Sequence, residues 1–145
     1  MLVVLGADHA GFRLKEEIAR YLVSKNIAWI DLGAHELDQK DDYPDFARNV
    51  AEFVAKKPAL GILACWTGIG TCITANKVKG IRAANVSSAD AAILARKHND
   101  ANILCLGSRY IKPLLAKKIV EAFLKQKFEA GRHLRRIRKI SKLEK

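Results

Sequence analysis

The chain has little cysteine and no long apolar run, and both shortages limit what it can be. Its three cysteines, Cys65, Cys72 and Cys105, are an odd number without C-x-x-C spacing. That excludes a disulfide framework and a cysteine-rich zinc site, leaves at least one thiol free, and fits a reducing compartment. No stretch approaches the roughly eighteen apolar residues that a membrane helix needs. The N-terminus, MLVVLGADHAG, lacks the basic flank and cleavage site of a signal peptide. A cytoplasmic protein without a membrane partner is expected. Internal repeats and low-complexity segments are also missing, which excludes solenoids and disordered linkers. Half of the 145 residues are apolar, enough for one domain with a full core and too few for two.

The positive charge is concentrated at one end. The formal net charge is +11, of which Lys112 to Lys145 carry +9 and the first 111 residues only +2. A basic C-terminus can serve nucleic acid, a membrane surface or a small anion. Aromatic residues are not interleaved with its basic ones and no recognition signature is present, so most of these side chains are expected to be solvated and a few to hold a small anion. Nucleic acid is not an expected partner.

Short apolar runs alternate with longer amphipathic ones, the pattern of βα units on a parallel sheet. Strands are expected at Leu2–Leu5, Ala28–Leu32, Leu60–Cys65, Ile81–Val86 and Asn102–Leu106, each apolar enough to be covered on both faces. Helices are expected at Gly11–Ser24, after Pro44, after a Ser87 cap with Asp90 three residues on, over Lys112–Lys125, and beyond Gly131 as a basic helix to about residue 145. The fold class is therefore α/β, a single Rossmann-like three-layer sandwich around a five-stranded parallel sheet.

The segment Leu60 to Asn76, LGILACWTGIGTCITAN, carries the chemistry. An apolar strand ends on Cys65 and enters a glycine-punctuated turn that opens a helix. Unpaired N–H groups at such a turn hold an oxyanion and favour a neighbouring thiolate over the thiol. Ligands of open α/β sheets bind beyond the carboxyl ends of the strands. Asp8, His9 and Gly11, Cys65 to Gly70, and Gly107, Ser108 and Arg109 all follow strands, so their loops should meet in one crevice. His98 and Asn99 precede the last strand and belong at the opposite end. If they function with Cys65, a neighbouring subunit must supply them.

Taken in order, GADHAGFRLKEEI, DYPDFA, CWTGIGTCITANKVKGIRAA, ARKHNDANIL, GSR and GRHLRRIRKI resemble the ribose-5-phosphate isomerase B and galactose-6-phosphate isomerase family over nearly the whole chain. The resemblance implies an aldose–ketose isomerase of the pentose phosphate pathway that uses no metal or organic cofactor and works through a cis-enediolate. It also implies a homodimer or homotetramer. Ribose 5-phosphate is the substrate it favours; a 6-phosphohexose (allose or galactose 6-phosphate) is the alternative, as is a silent sugar-phosphate-binding protein.

Carried onto this sequence, the family pattern makes Cys65 the base; relatives that lack it use a glutamate six residues on, where this chain has Thr71. The amides of Thr67, Gly68, Ile69 and Gly70 would hold the enediolate. His98 would assist ring opening, Asn99 would hold a substrate oxygen and Asp8 a sugar hydroxyl. The phosphate would fall to His9, Arg109, Arg132 and Arg136, with His133 nearby. Spacing independently supports Arg132 and Arg136, which at i and i+4 share a helical face. Tyr43 is either a wall for the sugar or an aromatic packed under the loop. His35 reads as a loop residue, and Cys72 and Cys105 as small core residues.

Trp66 departs from the family, which has glycine after the cysteine. If that position takes positive φ, tryptophan is strained by about 1–2 kcal/mol and narrows the site. In ordinary backbone geometry it is harmless and offers an aromatic wall.

Overall fold

The computed structural model describes residues 1–144. Five strands, β1 (Leu2–Ala7), β2 (Ala28–Asp31), β3 (Ala59–Cys65), β4 (Ala83–Asn85) and β5 (Ile103–Gly107), alternate with helices α1 (Phe12–Ser24), α2 (Tyr43–Lys56), α3 (Ile69–Ala75), α4 (Ala89–Asn99) and α5 (Pro113–Lys125); α6 (Gly131–Ser141) follows. All strand pairs are parallel, in the order β2-β1-β3-β5-β4. The expected α/β sandwich is present. No helix among the described residues is long and apolar enough to cross a membrane.

The period of two along each central strand sorts its side chains between two layers. Val3, Leu5, Ile62, Leu104 and Leu106 face α1, α4 and α5, where Ile18, Ala92, Ile119 and Phe123 complete one core. Val4, Leu63, Ile103 and Cys105 face the other way, onto Ala47, Val50 and Val54 of α2 and Ala75 of α3. β1 runs past its expected end at Leu5 to Ala7, pairing Gly6 with Leu63 and Ala7 with Ala64 of β3, and a Cβ on Gly6 would lie 2.6 Å from Val50 and 2.9 Å from Leu63. The close approach of α2 requires glycine.

Three sequence expectations need correction. β4 is only three residues long, because Gly80 turns the chain with φ +84° and Ile81 N–H bonds back to Val78. As an edge strand its free side is closed by the Asn76 amide, which accepts from Ala83 N–H and donates to Ala83 O, both at 2.9 Å. β2 and β4 are not covered on both faces, since their residues are half-buried or exposed. The cap of α4 is Ser88 rather than Ser87; its hydroxyl accepts from Ala91 N–H at 3.1 Å.

Strand order decides where a crevice opens. The chain lays β2 on one side of β1 and then crosses to lay β3 on the other, and this reversal parts the loops above the carboxyl ends of β1 and β3. β5 then inserts between β3 and β4. Its following loop is thereby tied to both others, through Ser108 N–H to Cys65 O at 2.9 Å and Ser108 Oγ to Ala10 O at 2.8 Å.

Candidate active site

Cys65 ends β3 and is buried. Its Sγ accepts the Gly68 N–H at 3.2 Å and lies 3.5 Å from the Thr71 hydroxyl, which is wholly buried and also bonds Gly68 O. The geometry depends on Gly68, whose φ is +76° and whose missing Cβ would lie 2.6 Å from Asn85 Oδ1 and 2.9 Å from the Leu106 carbonyl carbon. Both the backbone state and the space exclude any side chain.

The four amides expected to hold an oxyanion are not equally available. Gly68 N–H is engaged by Cys65 and Ile69 N–H by Thr67 Oγ1 at 3.3 Å. Two of the four are therefore already used within the turn. Tyr43, at the start of α2, lays its ring on Gly70, where a Cβ would meet it at 2.5 Å. It remains 39% exposed, so it is a wall of the turn and not a residue buried beneath it.

Trp66 has ordinary backbone geometry, since the positive-φ residues other than glycine are Asn26, Asp100 and Ala130. The possible strain is absent. Its indole, 53% exposed, turns outward under the Arg109 guanidinium, 5.3 Å from the ring centroid. It lines a hollow with Phe12, Arg13, Leu37 and Ser108, on the α1 side of the turn.

Asp8 is buried beyond β1, and its Oδ1 accepts Gly11 N–H at 2.9 Å. Desolvation by burial holds its carboxyl above the ordinary carboxylate range, against the opposing bond from Gly11. Next to it, His9 is bonded by a residue that the sequence reading passed over. Asp41 Oδ1 accepts the His9 main-chain N–H at 3.0 Å and lies 2.5 Å from its Nδ1. Thirty-two positions separate the two residues, and no spacing rule joins them.

Asp8, His9, Cys65, Trp66 to Gly70 and Arg109 thus share the carboxyl end of the sheet. His98 and Asn99 end α4 at the other end, with Arg132, His133 and Arg136 beside them on α6. The His98 and His133 rings stack at 4.2 Å with planes 9° apart, and Glu129, another residue missed in sequence, sits 3.8 Å from His98 Nε2 and 3.0 Å from Lys97 Nζ. Burial first, and then the charges of His98, Arg132 and Arg136, hold His133 below the ordinary histidine range. Asn99 lines a cavity of about 720 Å³ with Asn76, Arg82, Ile140 and Leu143. The phosphate candidates are therefore split, with His9 and Arg109 at one end and Arg132 and Arg136 at the other.

Among the remaining thiols, Cys105 is fully buried as expected, and burial pushes it up. Cys72 is only half-buried, and the hydrogen bond from Cys105 lowers it to about 7.

The ribose/galactose isomerase family model matches residues 3–140. The chain is 50% identical over 145 residues to a probable ribose-5-phosphate isomerase B of Mycoplasma genitalium, covering 99% of this chain and 95% of that one. Its structure resembles ribose-5-phosphate isomerase B of Clostridium thermocellum with a TM-score of 0.96 at 46% identity, covering 99% and 97% of the two chains. It matches that of Mycoplasma genitalium, solved with bound ribulose-5-phosphate, at 0.95 and 49%, covering 99% and 95%. With nearly its whole length matched in sequence and fold, the chain belongs to the ribose/galactose isomerase family.

Proposed function

We propose that this chain interconverts ribose 5-phosphate and ribulose 5-phosphate with Cys65 as the base. The observation that carries the reading is Cys65 Sγ at the carboxyl end of β3, held by Gly68 N–H at 3.2 Å in a chain of this family. Family membership supports the substrate, since relatives at about half identity bear the name ribose-5-phosphate isomerase B and one was solved with ribulose-5-phosphate bound.

In the open-chain aldose, the Cys65 thiolate removes the C2 proton, the electron pair forms the C1–C2 double bond, and O1 becomes the oxyanion of a cis-enediolate. The O2 hydroxyl proton passes to O1, and the same sulfur returns its proton to C1 as the carbonyl forms at C2. Turn amides still free would stabilise the oxyanion, a role in which one donor is worth about 3 kcal/mol. No redox cofactor is needed, because the two carbons exchange oxidation level within one molecule. His98 and Asn99 of a second copy would complete the site for ring opening and oxygen binding, with Arg132 and Arg136 beside them for the phosphate.

The test follows ribose 5-phosphate in D2O, reading ribulose 5-phosphate formation and deuterium at the exchanging carbon. Cys65→Ala should lower kcat by about 10²–10⁴-fold. A wild-type rate in that variant would remove Cys65 as the base. Binding of the sugar phosphate without exchange would point to a silent binding protein, and faster turnover of allose or galactose 6-phosphate to a hexose isomerase.

A further inference from the structure

We propose that Asp41 is a positioning residue for substrate binding: it clamps His9 from behind as a doubly protonated ring, so that the outward Nε2–H meets an anionic oxygen of the substrate. The claim rests on the reading of function above for the identity of that substrate. The clamp itself stands on geometry. One carboxylate oxygen, Asp41 Oδ1, receives both the main-chain N–H of His9 and its Nδ1. One bond holds the backbone and the other the ring at Nδ1, which leaves Nε2 as the ring nitrogen able to reach a ligand, and the His9 side chain is one-third exposed.

The charge follows from the surroundings. Asp41 is only 9% exposed, and its Oδ2 is buried without a hydrogen-bond partner. A buried carboxylate with an unsatisfied oxygen favours a cation beside it. Asp8 and Asp38 add negative charge around the same ring, and the bond from Asp41 is the main reason that His9 is held above the ordinary histidine range. With Nδ1–H committed to Asp41, Nε2 carries a proton only while the ring is cationic. A neutral ring would turn a lone pair toward the phosphate. The loop is built for this contact: Asp38 Oδ1 accepts Lys40 N–H at 2.9 Å and Asp41 N–H bonds Asp38 O at 3.2 Å, folding the segment that presents Asp41.

The experiment uses the full chain and Asp41→Asn, an isosteric change that keeps an oxygen acceptor and removes the charge. Ring-nitrogen NMR should show the His9 titration midpoint falling in the variant. KM for ribose 5-phosphate at neutral pH should rise about tenfold, the scale of one charge-assisted hydrogen bond, with kcat within about twofold. KM should also begin its rise with pH at a lower pH than in the wild type. In a His9→Gln background, Asp41→Asn should add nothing further. An unmoved His9 midpoint, or an equal KM effect with and without His9, would overturn the proposal. Should the wild type fail to isomerise ribose 5-phosphate, the functional reading falls separately. Inorganic phosphate then decides the clamp: it should shift the Nε2 resonance in the wild type and less so in Asp41→Asn, and equal shifts would overturn it.

Discussion

At the scale of single residues, Trp66 separates two physical costs that a sequence runs together. A bulky residue in a family glycine position is strained only if the backbone there needs positive φ, and in this turn that state is taken by Gly68, two residues later. The indole instead contributes a contact, stacked under Arg109 at 5.3 Å. Trp66→Gly should therefore give no stabilisation. It should cost up to about 1 kcal/mol, the exposed cation–π scale, read from the midpoint of urea unfolding; a gain of about 1–2 kcal/mol would show released strain after all. Cys65 was legible as a strand-end thiol before a glycine turn. Asp41 was not, because its role comes from a fold-back across 32 positions that no local pattern encodes.

At the scale of elements, the sequence placed five strands and the helices between them, and it erred where a feature depends on competition between neighbours. Ser87 and Ser88 are equally good caps by residue type. Only the path leaving β4 selects Ser88, which adopts extended backbone and accepts Ala91 N–H. Ser88→Ala should destabilise the protein by about 1 kcal/mol, and Ser87→Ala by less than about 0.5 kcal/mol, both measured by thermal or urea unfolding. Similar losses at both sites would reassign the cap. β4 illustrates the same limit, since Ile81 and Val86 suit a strand by propensity. The Gly80 turn shortens it at one end, and the Asn76 amide, taking both main-chain groups of Ala83, ends the sheet there.

At the scale of the whole molecule, parallel topology places every strand-following loop at one end of the sheet and the end of every helix that returns to a strand at the other. This alone separates Cys65 from His98, and it was readable from the order of the motifs. The company His98 keeps was not, since its stack with His133 and its pairing with Glu129 depend on how α6 docks against α4. A reaction that needs Cys65 with His98 must then draw them from two copies. Mixing two inactive variants tests this directly. Cys65→Ala and His98→Asn chains, unfolded together and refolded in equal amounts, should form mixed pairs in which one site is doubly defective and the other intact. Random pairing into dimers restores about a quarter of the wild-type sites, and the same fraction arises in a tetramer built from such pairs. Recovered ribose 5-phosphate turnover near that level, from parents that are each inactive, is the expected outcome. Activity no greater than the sum of the parents', in a sample shown by mass spectrometry to contain mixed oligomers, would mean that each chain builds its site alone and that His98 serves the stack with His133 instead.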